Sequence, residues 1–129
     1  LTEHQMNIEF FDEFKRVNPT LPLKKAGNIT CGNAIRVDWE DACPKEQDDE
    51  IYVLGNPPYK GFSQQEKVQK DDIKSVLGKA SKLDYISCWF IKGGEYIVNS
   101  DASLAFVSTN SISQGEQVSL LWPHIFKLG

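Results

Sequence analysis

The sequence has no lysine- or arginine-rich run of the kind that marks a nucleic-acid-binding tract, and its formal charge is −4 over 129 residues. Composition alone therefore supplies no electrostatic footprint for DNA, and residues that grip a phosphate backbone are expected mostly elsewhere. No apolar run approaches membrane length, and neither a signal peptide nor a membrane partner is expected. The three cysteines (Cys31, Cys43 and Cys88) are odd in number and form no CxxC pair. Two of them sit in apolar contexts typical of buried free thiols, which predicts a reducing, cytoplasmic setting. His4 and His124 lie at opposite ends of the chain without ligand-like spacing, so no metal site is expected. Catalytic groupings of the Ser-His-Asp, Cys-His or paired-carboxylate type do not stand out. A glycine-rich turn between a strand and a helix is lacking, as are internal repeats and low-complexity segments.

What is present reads as one α/β domain with enough apolar content for a modest core. Met6, Phe10, Phe14 and Val17 recur at helical spacing over residues 2–17, with Asn18-Pro19 as a stop. Residues 19–27 read as a loop, and residues 28–31 as a short strand ended by Gly32-Asn33. An acidic surface loop is expected over 39–50. A strand follows at 51–54. Residues 64–82 are charged, with Ile73, Val76, Leu77 and Ala80 on one helical face. A stronger helix is predicted over 84–98, where Tyr85, Cys88, Trp89 and Tyr96 form one stripe and Trp89, Phe90 and Tyr96 read as core. Gly93-Gly94 in its middle costs about 1 kcal/mol per glycine and points to close packing. A second buried strand is predicted over 104–107, then a capping box from Ser113 to Glu116 opening a last helix that Pro123 interrupts or kinks. Alternation of this kind predicts parallel strands with right-handed crossovers.

The chain is organised around residues 51–61, IYVLGNPPYKG. Ile51 to Leu54 is short, β-branched and aromatic, and ends in Gly55, as a buried parallel strand does. Chemistry in open α/β sheets sits beyond the carboxyl ends of such strands, and here that position holds Asn56, Pro57, Pro58 and Tyr59. Proline fixes φ and biases the preceding residue to an extended conformation, so the loop is stiff. It offers a carboxamide oxygen, a backbone carbonyl and an aromatic face in one place. That set suits methylation of a planar amino group, whose lone pair is delocalised into a π system. Acceptors on both amino hydrogens, Asn56 Oδ1 and the Pro57 carbonyl, favour a pyramidal nitrogen with a localised lone pair. Each such bond is worth about 1 kcal/mol net, and more in a dry, preorganised pocket. Tyr59 is placed to stack on the ring that carries the amine.

At these residues the sequence resembles the amino-methyltransferases that use S-adenosylmethionine, above all the adenine-N6 DNA methyltransferases. HQMN at 4–7, NITCGNAIRVDW at 28–39, LDYISCWFIKGGEYI at 83–97 and AFVSTNSISQGEQVSLLW at 105–122 extend the resemblance. Together they are similar to the methyltransferase region of large type IIG restriction–modification proteins over nearly the whole chain. The resemblance implies a partial Rossmann-like fold, a mostly parallel sheet with flanking helices. It implies that residues 1–129 are a fragment of the catalytic domain, with the cofactor's glycine-rich motif and a target-recognition domain outside them. Asn56, Pro57, Pro58 and Tyr59 would be catalytic, acting on an adenine flipped out of DNA. Asn33 would accept from the adenine amino group of S-adenosylmethionine and Ala34 would contact its ring, although many relatives carry aspartate at the first position. An incomplete sheet is expected to leave a strand edge open to self-association, and the fragment alone is expected to be inactive.

Residue chemistry leaves alternatives. Asn-Pro-Pro is also an acceptable tight turn, and Asn-Pro-x-Tyr is also a peptide ligand that requires an exposed, disordered setting. The same four residues occur in methyltransferases that act on protein glutamine, RNA is an acceptor elsewhere, and a non-catalytic interaction module is the third reading. Gly32-Asn33-Ala34 is equally an ordinary strand-end turn, and Asp38-Trp39 a structural corner. Ser108-Thr109-Asn110 either lines the pocket or caps backbone locally.

Overall fold

The computed structural model of the chain describes residues 29–46, 49–79 and 81–128. The helix expected over 2–17, the loop at 19–27 and the HQMN segment lie outside these residues. Within them the order is α1 (Trp39–Ala42), β1 (Tyr52–Gly55), a 3-10 turn (Phe62–Gln64), α2 (Lys67–Leu77), α3 (Ser87–Ile97), β2 (Ser103–Phe106), a second 3-10 turn (Asn110–Ser113) and α4 (Gly115–Ile125).

β1 and β2 pair in parallel, with Tyr52 opposite Ser103 and Gly55 opposite Phe106. The long excursion between them carries α2 and α3, as parallel pairing requires. α3 lies on β2, and Gly93 permits the approach. A Cβ built there would stand 2.8 Å from Leu104 Cδ1, so the glycine pair marks close packing as its sequence position predicts. Among the described residues only one face of the strand pair is covered. Tyr52 and Leu54 are 62% and 75% exposed, while Val53 and Gly55 are half-buried. The expectation of buried strands is corrected accordingly: both alternate between exposed and half-buried residues, and within the described residues α3 covers one side alone.

Two apolar clusters hold the helices. Ile35, Ile73, Tyr85 and Cys88 form one, with Val76, Leu77 and Trp89 against it. Leu83, Ile91 and Leu121 form the other, flanked by Phe90, Ile112 and Ile125. α2 is capped at both ends: Glu66 and Gln69 form a reciprocal capping box, and Gly78 closes the helix in the left-handed region at φ 70°.

Several local expectations change. Residues 29–31 form no strand, and Ile29 is exposed, with no partner strand for them among the described residues. The acidic segment begins with a helical turn, capped by Asp38, whose carboxylate accepts from the Glu40 amide at 2.9 Å. α4 starts at Gly115 without a side-chain cap. Ser113 belongs to the preceding 3-10 turn and donates to the Asn110 carbonyl at 2.9 Å, which removes it from a capping box. Pro123 lies inside α4, which continues to Ile125. Of the cysteines only Cys88 is buried, whereas Cys31 and Cys43 are exposed.

Candidate functional site

Beyond the carboxyl ends of the strands lies a cleft of about 380 Å³ lined by Trp39, Val53, Leu54, Gly55, Asn56, Pro57, Pro58, Trp89 and Phe106. Each part of its wall follows from the sequence nearby. β1 delivers Asn56 to its rim, and the proline pair keeps the chain extended there. Pro57 is buried and Asn56 and Pro58 are exposed. Half-buried Tyr59 turns back so that its hydroxyl donates to Asn56 Oδ1. Phe106 comes from the end of β2, opposite Gly55, where a Cβ would stand 3.3 Å from the Phe106 ring. The cleft is thus apolar and aromatic on its walls, with one exposed carboxamide at its mouth.

The loop that follows is anchored to the rest of the fold. The Lys60 carbonyl accepts from the Tyr85 amide at 2.8 Å and from Gln65 Nε2 at 3.2 Å. Buried Gln65 also donates to the Leu83 carbonyl at 2.9 Å, and the Phe62 amide donates to Asp84 Oδ1 at 3.3 Å. Gln117 of α4 completes the clamp, accepting from the Asp84 amide at 2.9 Å and donating to the Lys82 carbonyl at 3.1 Å.

Asn33 and Ala34 sit in a tight turn next to this cleft. Asn33 Oδ1 accepts from the Ile35 amide at 2.9 Å, and its backbone carbonyl accepts from Arg36 and Val37. The turn is pinned beneath by buried Ile35 and outside by Arg36, whose Nε meets Asp72 Oδ1 at 2.8 Å. Asp72 is 3% exposed and also accepts from the Tyr85 hydroxyl at 2.7 Å. Burial first, and then this carboxylate, push the Tyr85 phenol up to about 12, and the neighbouring Asn33 amide opposes them. Burial likewise raises the Cys88 thiol to about 12, with the charge of Asp72 adding to it.

Trp39 links the turn to the cleft. Its indole N–H donates to the Ala34 carbonyl at 2.7 Å, its ring lines the cleft, and it meets Tyr96 edge-on at 5.8 Å. Residue order carries no sign of this role, because Asp38-Trp39 reads as a corner. Trp89 reads as core, and it lies edge-on to Tyr85 at 5.1 Å while its exposed part lines the cleft. For Phe106 the signal was available: it ends the strand that pairs with β1. Ser108 and Thr109 do not line the cleft. Ser108 Oγ donates to the Thr109 carbonyl at 3.2 Å, and Thr109 Oγ1 lies 2.7 Å from Ser111 Oγ, which is the local capping alternative. Among the described residues no cluster of three His, Cys, Asp or Glu side chains could hold a metal.

The site can take a flat ring between aromatic and proline walls and present a carboxamide oxygen to an amino group. Comparison with known proteins shows the family. The family described as MmeI, DNA-methyltransferase domain, matches residues 1–129. DNA methyltransferase A of Bacillus subtilis (strain 168) is 52% identical over 133 residues, which cover all of this chain and 15% of that protein. The solved structure of the type IIL restriction–modification enzyme MmeI in complex with DNA superposes with a TM-score of 0.79 at 44% identity, over 98% of this chain and 17% of that one. The fold is accordingly part of a Rossmann-like methyltransferase sheet. The chain spans less than a fifth of each of these relatives.

Proposed function

The chain belongs to the MmeI DNA-methyltransferase domain family, and from that membership we propose that it carries the catalytic loop of an adenine-N6 DNA methyltransferase of the restriction–modification type. The observation that carries this reading is the exposed Asn56 carboxamide at the mouth of the aromatic cleft, tied to Tyr59. A carboxamide oxygen has two lone pairs, so Asn56 Oδ1 accepts from Tyr59 and from one hydrogen of the target amine. The Pro57 carbonyl takes the other. The target adenine leaves the duplex at a cost of a few kcal/mol and stacks on Tyr59.

S-adenosylmethionine supplies the electrophilic methyl group on its sulfonium. The described residues fit the adenine end of that cofactor: Asn33 offers an exposed amide whose oxygen keeps one lone pair beside its bond to Ile35, and Ala34 is small, exposed and held through its carbonyl by the Trp39 indole. Asn33 would hold the amino group and Ala34 the ring. Orientation, more than acid–base chemistry, then supplies most of the rate. The glycine-rich cofactor motif and target recognition would be provided by other parts of the protein, working in a prokaryotic cytoplasm. DNA as the acceptor is supported by the relatives' names and by the MmeI–DNA complex.

The deciding experiment incubates the full-length protein with labelled S-adenosylmethionine and duplex DNA, then digests the DNA to nucleosides. Label in 6-methyladenine is expected. Cofactor binding without labelled DNA would move the acceptor to protein or RNA, and loss of cofactor binding altogether would leave residues 56–59 as a turn.

A further inference from the structure

The formal charge of −4 hides an uneven distribution. Residues 60–82 hold six lysines (Lys60, Lys67, Lys70, Lys74, Lys79 and Lys82) against Glu66, Asp71 and Asp72. Asp72 is buried and committed to Arg36 and Tyr85, and Glu66 stands 3.7 Å from Lys60. Lys67, Lys70 and Lys74 recur every three or four residues along α2 and are all exposed, which places them on one stripe. Exposed Lys79 and Lys82 follow the helix and line a groove of about 560 Å³ with Phe62, Ser81, Ser119 and Leu120, and Glu116 lies at the same groove. Lys70 Nζ stands 5.1 Å over the ring of Phe62. Phe62 is therefore the meeting point of α2 and the groove.

This charged surface is held near the candidate active loop. Phe62 follows Tyr59 by three residues, a span of at most about 11 Å along an extended chain. The hydrogen bonds from Tyr85, Gln65 and Phe62 described above fix that span to the fold. In duplex DNA about 11 Å corresponds to the rise of roughly three nucleotides, at 3.4 Å each. Lysines act on phosphates as point charges and serine hydroxyls add donors.

We propose that Lys70, Lys79 and Lys82, gathered round Phe62, grip the phosphate backbone of the DNA strand that presents the target nucleotide to the Asn56 cleft. The inference rests on the reading of the chain as part of a DNA methyltransferase, and adds where the strand runs. Glu116 and Asp71 set its limits, since a phosphate lies on the lysine side of both.

The test measures binding of the full-length protein to a mixed-sequence DNA duplex between about 50 and 200 mM salt, where each phosphate contact contributes about 0.9 to the slope of log K against log salt. The variant K70Q/K79Q/K82Q is expected to lose about 2 to 3 from that slope and at least about tenfold in affinity at the low-salt end. Single substitutions Lys79→Gln and Lys82→Gln should each remove about 1, and K70R/K79R/K82R should restore the wild-type slope. An unchanged melting midpoint shows that the glutamine variants are folded, and the single variants serve if the triple is not. Wild-type slope and affinity in the glutamine variants would overturn the lysine surface alone. Failure of the unsubstituted protein to bind DNA would overturn the underlying reading with it.

Discussion

The Tyr59 hydroxyl donates to the side-chain oxygen of Asn56, joining the two polar ends of the loop that follows β1. The bond fixes the direction of the carboxamide at the mouth of the cleft and leaves a lone pair for a substrate amine. Under the proposed function the ring and the hydroxyl of Tyr59 have separable tasks. Tyr59→Phe keeps the ring and loses one neutral hydrogen bond, worth about 0.5–1.5 kcal/mol, so methyl transfer should fall by no more than about tenfold. Tyr59→Ala also removes base stacking of about 1–3 kcal/mol and should fall much further. Single-turnover rates of the full-length protein on DNA check this, and equal losses in both variants would assign the effect to the hydroxyl.

Asn56 has no such fallback. Removal of a preorganised donor or acceptor from a reacting centre typically costs about 100- to 1000-fold in turnover. Asn56→Ala should lower transfer by at least about 100-fold while sparing cofactor affinity, because Asn33 and Ala34, the proposed cofactor residues, lie in a separate turn. A variant that keeps a tenth of wild-type turnover would remove Asn56 from the chemistry.

Trp39 joins the two parts of the site, with its N–H on the Ala34 carbonyl and its ring in the cleft. Trp39→Phe preserves an aromatic wall and leaves that carbonyl without its indole partner, a loss of about 0.5–1.5 kcal/mol. Its expected signature is a weaker cofactor affinity, by about two- to tenfold, with little change in turnover at saturation. Fluorescence titration with S-adenosylmethionine reads the first quantity. A change in turnover alone would place Trp39 against the target base instead.

Alkaline pH should destabilise the fold through buried acids. The Cys88 thiol and the Tyr85 phenol are raised to about 12, chiefly by burial, from ordinary values of 9.0 and 10.0. Between those values and about 12 the unfolded chain releases protons that the folded chain retains. The stability they contribute is complete below about pH 9 and falls as pH rises towards 12, by up to about 1.4 kcal/mol per pH unit for each group. Melting midpoints should decline over that window. Cys88→Ala should delay the decline and Tyr85→Phe should flatten it above about pH 10. An unaltered alkaline limb in the double variant would assign the decline to other groups, beginning with Tyr96, which burial also raises to about 12.

Much of this was legible in residue order. A short apolar run into Gly55-Asn56-Pro57-Pro58 placed β1 and the rim of the cleft, because strand propensity and the proline restrictions act locally. α3 was equally plain from its apolar stripe. Hidden features were those decided by pairing across the chain. Ile29 carries a strand-like side chain, but a strand needs a neighbour, and the described residues offer none. Ser113 matched a capping box in spacing yet folded into the 3-10 turn before α4. Trp39 depends on a carbonyl five residues earlier and a strand end beyond residue 50. The lysines of 60–82 are too dispersed to form a run, and only α2 and the groove at Phe62 bring Lys70, Lys79 and Lys82 together.

The packing of α3 on β2 ties stability to the site through Gly93. A Cβ there would stand 2.8 and 3.0 Å from the two methyls of Leu104 and 3.3 Å from the Phe106 ring. Alanine gains about 1 kcal/mol of helix propensity and displaces the flexible end of Leu104 with a slight shift of the Phe106 ring, so Gly93→Ala should be close to neutral in melting midpoint. Gly93→Val adds two methyls to the same contact, and overpacking of this kind costs about 1–3 kcal/mol. Phe106 also lines the cleft, so the valine variant should lose methyl transfer at temperatures where it is still folded. Gly94→Val is the control: its Cβ would meet Leu128, which does not line the cleft, at 2.8 Å, and it should lower stability without that loss of rate. Equal rates in the two folded valine variants would show that Phe106 moves without consequence for the site.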